Sequence, residues 1–476
     1  MGKDKKFLDA VHGYISVPDN ICNKIIDTKN FQRLRRIEQT SSRSLFPCAH
    51  HDRFIHSLGV FHIGQKIATS VCSQLPDCAG IKQSYLLACL LHDCGHAPFS
   101  HSLEHLFGTT EYLFDIYKQK LNNRGIDEKI DIVDINYLDT KQHEIISAYL
   151  CLTVYYESII ELGGNPALIG RMIIGCPYED KNKSLENCFI SLLHGEVIDA
   201  DRLDYVCRDK WASGYLSSSV DIDRLISSMK IKHENKKYII TYGKSALNEI
   251  QAVMDSRNFQ QIWVFKHHQI VYEQMLLQES VKELVKVVSP QDPNNTKTLF
   301  NYKSFEELTQ VNENVSIFLP SDDDIVHLMK THKDNIPHLE EWLSREYKHI
   351  PLWKSQAEFI ALFKDYGGKK LLERADDFFK TIEELINEEI KGKCISLNAN
   401  PSLKHITEGQ IFIDINGIVI DFSELNMISY NDIYIDQQFK YIFIPIESQD
   451  RKSNLIEKIK SIFPFSLSSK EENREK

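Results

Sequence analysis

Apolar residues recur at helical spacing through most of the first 290 positions. Ile21, Ile25, Ile26, Leu34 and Ile37 are separated by Lys, Arg and Gln, which predicts a helix over 21–37. Leu58, Val60, Ile63, Ile67 and Val71 predict a second over 56–75. The run 84–91 is nearly all apolar and reads as a central helix of a bundle, ended by Gly95 and Pro98. Further helices are expected over 143–162, 166–174, 184–208, 221–229 and 244–284. Positions 122–139 are polar and read as loop or insertion, and 289–296 as loop.

Period-two runs are few. Residues 237–242 form a β-branched and aromatic stretch, and 411–415 and 441–446 repeat that texture near the C-terminus, with a helix over 455–463. The pattern predicts a mainly α protein with a smaller α+β C-terminal lobe. The expected divisions are a helical core over 1–290, a helical extension over 291–400, the lobe over 401–465 and a polar tail over 466–476.

The bulk numbers narrow the function classes. A hydrophobic fraction of 42% and a charged fraction of 26% suit a globular chain with a substantial core. The net charge of −11 disfavours nucleic acid as the primary partner, because that binding depends on neutralising phosphates. Eleven cysteines without paired zinc-ribbon spacing read as reduced thiols of a cytoplasmic protein. No apolar run approaches the roughly 18 residues that span a bilayer, so no membrane partner is expected.

Candidate chemistry centres on His92-Asp93, which closes the apolar run and precedes Cys94-Gly95-His96-Ala97-Pro98-Phe99-Ser100-His101. Adjacent imidazole and carboxylate groups can meet one cation. His56 at the start of one predicted helix, His92 and Asp93 at the end of another and Asp201 within a third would converge as bundle metal sites do. Two His and two Asp suit Mn, Mg, Fe, Ni or Zn without selecting one. His143-Glu144 forms a second pair, in which the carboxylate is placed to orient the imidazole.

Five stretches carry a family resemblance. They are Val11-His12-Gly13-Tyr14-Ile15; Ile26-Asp27-Thr28 with Phe31-Gln32-Arg33-Leu34-Arg35-Arg36-Ile37; Arg53-Phe54-Ile55-His56-Ser57-Leu58-Gly59-Val60; the His92 to His101 run; and Asp199-Ala200-Asp201-Arg202-Leu203-Asp204-Tyr205-Val206-Cys207-Arg208-Asp209. In this order they resemble the HD-domain deoxynucleoside triphosphate triphosphohydrolases. The resemblance implies an HD-domain helical bundle with a divalent metal on His56, His92, Asp93 and Asp201, and a catalytic pocket containing His96, His101, His143 and Glu144. It implies a dNTP substrate held by Gln39, Arg53, Arg202, Tyr205, Asp209 and Arg257. Arginine suits triphosphate because its planar fork is bidentate, and a tyrosine against the deoxyribose edge would exclude a 2′-hydroxyl.

The resemblance also implies a homo-oligomer and an activating nucleotide at Asp27, Gln32 and Arg35. Three departures bear on substrate choice: Gln261 and Phe265 stand where relatives often have His and Tyr, and Thr40 replaces a leucine. Leu8 replaces an asparagine near the activator positions. The expectation is a metal-dependent enzyme cleaving dNTP to deoxynucleoside and inorganic triphosphate, in pool balance or antiviral defence. The alternatives are an HD-type nucleotidase or phosphodiesterase, and a nucleotide-sensing regulator with weak or conditional hydrolysis.

Overall fold

A computed structural model of the chain describes residues 4–40, 44–73, 75, 78–130, 140–216, 219–234, 236–366, 371–372, 375–390, 392–403, 406–407, 409–425 and 438–462. The chain divides into two compact units, one built from 1–257, 281–335 and 404–429, the other from 258–280, 336–403 and 430–476. The expected tail over 466–476 lies outside the described residues.

The first unit opens with a hairpin that the helical periodicity did not reveal. Strands β1 (Asp4–Asp9) and β2 (Gly13–Pro18) pair antiparallel with Phe7 opposite Ile15. Ile15 and Val17 point into the core. Asp9 shapes the turn: its Oδ1 accepts the backbone N–H groups of Val11 at 2.9 Å and His12 at 2.7 Å. Such local side-chain capture of the backbone is the usual work of Asp in turns.

The helix expected over 21–37 is instead a series of short helical turns, at Asp19–Ile21, Cys22–Ile26, Lys29–Gln32 and Arg33–Arg36. Thr28 interrupts them. Its hydroxyl donates to the Ile25 carbonyl at 2.7 Å and accepts from the Phe31 N–H at 3.3 Å, closing one turn and capping the next.

Helix α1 (Arg53–Cys72) starts at Asp52, whose side chain accepts from Ile55 N, and α2 (Ala79–Leu91) is buried from Ser84 to its end. Helix α3 (Thr110–Asn123) precedes a stretch of which 131–139 lie outside the described residues. The long helix expected over 143–162 is two pieces, α4 (Gln142–Leu152) and α5 (Tyr156–Glu161), whereas α6 (Pro166–Ile174) matches its expected bounds. The helix expected over 184–208 also breaks, into α7 (Ser184–Leu193) and α8 (Ala200–Ser213). Asp199 restarts it by accepting the Arg202 N–H at 2.6 Å.

After α9 (Ile222–Ser227) come β3 (Met229–Glu234) and β4 (Lys237–Gly243), an antiparallel pair. Helices α10 (Leu247–Gln260) and α11 (His268–Val288) replace the single helix expected over 244–284. Strands β5 (Phe412–Ile415) and β6 (Ile418–Asp421), from far along the chain, complete the sheet: its order is β6-β5-β4-β3, and β5 runs parallel to β4 with Tyr242 opposite Ile413.

The second unit has an α+β core of its own. Its three-stranded antiparallel sheet has Lys440–Pro445 between His349–Pro351 and Ile395–Asn398. The helix Ala375–Glu389 contributes Phe378, Phe379, Ile382 and Ile386 to an aromatic core with Trp353, Phe359 and Phe363. The buried Trp353 donates its Nε1–H to the Lys440 carbonyl at 2.9 Å, so its one polar atom is satisfied.

Cys72 and Cys78 are disulfide-bonded, which corrects the expectation that all eleven thiols are reduced; the other nine are free. Among the described residues no helix is long and apolar enough to cross a membrane.

Candidate metal and catalytic site

Helix α1 delivers His56, the end of α2 delivers His92 and Asp93, and the first turn of α8 delivers Asp201. His56 Nε2 lies 2.9 Å from Asp201 Oδ1, and His92 Nε2 lies 3.6 Å from the same oxygen. Asp93 closes the group, with Oδ2 3.6 Å from His56 Nε2 and Oδ1 3.4 Å from His92 Nε2. Their order in the chain is the one the sequence suggested.

The remaining ring nitrogens are fixed from behind. His56 Nδ1 sits 2.7 Å from Asp204 Oδ2, and His92 Nδ1 sits 3.0 Å from the Cys89 carbonyl. Asp204 is held well below the usual carboxylate range: burial opposes ionisation, and Arg208, His12 and His56 overcome it. An ionised carboxylate and a carbonyl only accept, so both Nδ1 atoms carry a proton and both Nε2 atoms are left facing Asp93 and Asp201. Those two Nε2 atoms are buried without a hydrogen bond. Orphaned imidazole nitrogens opposed by carboxylates fit a divalent cation. Burial works to lower the basicity of His56, yet Asp201 and Asp204 raise it to about 10, so carboxylates of this density hold a proton where a cation would bind. The backbone permits this approach only at glycine: a Cβ on Gly59 would lie 1.9 Å from Asp204 Oδ1.

Arg53 borders the centre. It donates to Asp93 Oδ2 at 2.7 Å and to Ser100 Oγ at 3.0 Å. Ser100 and Phe99 both adopt left-handed backbone, with φ of 52° and 57°. Such strain persists where surrounding bonds impose it. Here Asp322 supplies them, accepting Phe99 N–H at 2.6 Å and Glu38 N–H at 3.0 Å.

A second cluster brings together His96, His101, His143 and Glu104. Glu104 Oε2 lies 2.6 Å from His143 Nδ1 and Oε1 lies 3.0 Å from His101 Nδ1. His96 stacks on His143 with ring centroids 3.8 Å apart. Burial holds His96 well below its usual basicity, reinforced by Arg53 and His143, so it is neutral. His101 is the exposed member, with 60% of its side chain accessible.

Glu144, expected to orient His143, does other work. Its Oε2 accepts the Lys141 N–H at 2.7 Å, capping α4, and burial pushes its carboxyl up to about 7. Glu104 takes the orienting role instead. Sequence reasoning passed over it because nothing apolar-periodic marks the short turn Glu104–Phe107; its only signal was a position three residues after His101.

On α8, Arg202 Nε lies 3.4 Å from the Tyr205 hydroxyl, and its NH1 donates to the Gly195 carbonyl at 3.1 Å. Arg257 shares Tyr205: burial lowers its basicity while the Tyr205 hydroxyl supports its charge. Asp209, one turn beyond Tyr205, lies 2.8 Å from His51 Nε2. His51 is buried, and its Nδ1 and Gln39 Oε1 have no hydrogen-bond partner among the described residues. Gln39 and His51 are joined through backbone, N to O, at 2.9 Å.

The activator positions are engaged within the chain. Asp27 pairs with Lys5 at 2.7 Å, Gln32 accepts from Arg35 Nε at 2.9 Å, and Arg35 lies over the Phe54 ring at 3.5 Å. Gln261 and Phe265 lie in the second unit.

Residues 53–158 match the HD domain family, a span that holds His56, His92, Asp93 and the second histidine cluster. This span is an HD domain, and its His56 and His92, with Asp201 beyond it, are placed to hold a divalent metal ion. The chain is similar to deoxynucleoside triphosphate triphosphohydrolases. It is 30% identical to deoxynucleoside triphosphate triphosphohydrolase SAMHD1 of Gallus gallus over 51% of this chain and 40% of that protein. It is 29% identical to the Bacillus subtilis protein YwfO over 57% of this chain and 53% of the relative. The matches span about half the length of these curated relatives. The fold is shared with a solved protein from Aquifex aeolicus, at a TM-score of 0.62 and 22% identity over 96% of this chain and 99% of that one. A phosphohydrolase from Bacteroides thetaiotaomicron gives a TM-score of 0.60 at 18% identity, covering 93% of this chain and 100% of the other.

Proposed function

We propose that this phosphohydrolase cleaves deoxynucleoside triphosphates to deoxynucleoside and inorganic triphosphate. The observation that carries the reading is the meeting of Arg202 and Arg257 on the Tyr205 hydroxyl, on the same helix as Asp201. Two guanidinium groups brought to one phenol, beside a metal ligand, form a site for a polyanion whose ester bond lies at the cation. The orphaned polar atoms of Gln39 and His51, with Asp209, are donors and acceptors suited to a sugar hydroxyl. The similarity to enzymes named as deoxynucleoside triphosphate triphosphohydrolases supports the same substrate class.

In this reading His56, His92, Asp93 and Asp201 hold the cation, which supplies charge stabilisation at phosphorus and activates water. Arg53 holds Asp93 in place. Arg202 and Arg257 bind the phosphates, and Tyr205 fills the space a 2′-hydroxyl would need. His101, exposed and tied through Glu104 to His143, moves the proton to the departing 5′ oxygen. Glu104 orients both rings through their Nδ1 atoms. A homo-oligomer with an activating nucleotide at Asp27, Gln32 and Arg35, acting in the cytoplasm, is the regulatory part of the reading.

The test is product analysis. The purified protein with Mn or Mg is given each of the four dNTPs, with and without GTP, and products are separated by ion exchange. Deoxynucleoside plus triphosphate is expected. Deoxynucleoside monophosphate plus pyrophosphate would refute the reading. Tight dNTP binding without turnover under every condition would turn it toward a sensor.

A further inference from the structure

Behind His56 runs a buried network that ends at the N-terminal hairpin. Asp204 Oδ2 is approached by His56 Nδ1 at 2.7 Å and Arg208 Nε at 2.8 Å. Its Oδ1 is approached by His12 Nε2 at 2.6 Å and Arg208 NH2 at 2.9 Å. A carboxylate offers about four lone-pair sites, so this one is fully used. Arg208 NH1 continues to Asp9 Oδ2 at 2.7 Å. The other oxygen of Asp9 holds the backbone N–H of His12. One aspartate therefore anchors the arginine and shapes the turn that carries the histidine. Asp204, Arg208, Asp9 and His56 are all buried, and Asp204 and Arg208 pack directly against Gly59 of α1, where a Cβ would collide with both.

We infer that His12 is a positioning residue of the metal centre: it fixes the Asp204 carboxylate, and through it the ring of His56, so that the hairpin turn at 9–13 is part of the site. This rests on the reading that His56, His92, Asp93 and Asp201 hold the cation. Without the His12 donor, Asp204 Oδ1 keeps only Arg208. The carboxylate then turns toward the guanidinium, and the bond that aims His56 Nε2 loses its direction. Outer partners of this type alter metal affinity by about 10–100-fold when they touch the ligand directly. His12 stands one bond further out, and about a tenfold effect is expected.

The experiment uses the full chain, stripped of metal and titrated with Mn(II), reading free Mn(II) by its EPR signal. The visible spectrum of the Co(II) form is a second readout. His12→Met removes the donor at similar length, His12→Gln keeps an amide N–H, and Val17→Ala weakens the hairpin core without touching Asp204. The expected result is about tenfold weaker Mn(II) binding and shifted Co(II) bands in His12→Met, recovery to within about threefold in His12→Gln, and unchanged affinity in Val17→Ala despite a lower melting temperature. Wild-type affinity in folded His12→Met, or equal weakening in Val17→Ala, overturns the inference. If His12→Met does not fold, His12→Asn, whose amide is too short to reach Asp204, takes its place: wild-type Mn(II) affinity with a native Co(II) spectrum overturns the inference, and weakened binding with shifted bands supports it. A wild-type protein that binds no Mn(II), or a His92→Ala variant that binds it normally, would instead defeat the underlying metal-site reading.

Discussion

His143 Nδ1 lies 2.6 Å from Glu104 Oε2, joining a residue at the start of α4 to one 39 positions earlier. The carboxylate is buried and ionised: burial opposes its charge, but His143 and His101 hold it well below the usual range. Glu104→Gln should lower kcat by about 100-fold while KM changes by less than about threefold, because the amide keeps the shape but no longer accepts from both rings at once and so no longer orients them. Steady-state kinetics on dNTP checks this. A pure KM effect would show that Glu104 serves binding.

Removing the metal ligands separates content from catalysis. His92→Ala with Asp93→Ala should leave less than about a tenth of the wild-type metal and no measurable turnover. Elemental analysis of the purified variant checks the first and product assays the second. Retained metal with full activity would mean the centre lies elsewhere.

Cation binding should also stabilise the fold. Saturation at about 100 times Kd adds about 2.7 kcal/mol for a ligand that binds only the native state. Chelation is expected to lower the melting temperature of wild type and leave the His92→Ala, Asp93→Ala variant unmoved. Equal shifts in both proteins would point to a different cation.

Arg257 and Arg202 share Tyr205, and Arg202 also pairs with Asp199 at 3.4 Å. Arg257→Ala should raise KM by at least about tenfold, from the loss of a charge-assisted bond worth about 1.5–3 kcal/mol. Inorganic triphosphate should lose inhibitory power in parallel. Unchanged inhibition would remove Arg257 from the phosphate site.

Asp322 gives a pH signature. Burial pushes its carboxyl from 3.8 up to about 7, against the two backbone N–H groups it accepts. The native state therefore keeps a proton that the unfolded chain releases. That contribution to stability is complete below about pH 4 and is lost as pH rises through about 7, amounting to at most about 4 kcal/mol. Asp322→Asn should flatten the fall in urea midpoint between pH 4 and 7. Parallel curves for the two proteins would assign the dependence to other groups, of which Glu144, raised in the same direction, is the first to examine.

Much of the centre was legible because its ligands sit at helix ends beside Gly and Pro, where residue identity shows through. His56, His92, Asp93 and Asp201 meet as their order suggested. What escaped the sequence was held by contacts far apart in the chain. His51 meets its partner Asp209 across 158 residues of chain, a spacing no local pattern marks. Helix lengths were overestimated at Thr28 and at Asp199, where a single side chain capturing a backbone N–H outweighed apolar periodicity. The hairpin was missed because β1 is half polar, with only one edge of it buried.

The pairing of β5 with β4 sets a limit on how this protein can be cut. The strands at 412–421 belong to the unit that holds the histidines, although residues 336–403, which intervene, belong to the other unit. A fragment ending at 335 would keep every candidate ligand yet leave β4 with an open hydrogen-bonding edge, a template for aggregation. An N-terminal piece that ends before residue 421 thus lacks part of the sheet of the histidine-bearing unit, and recombinant work should retain the chain at least that far.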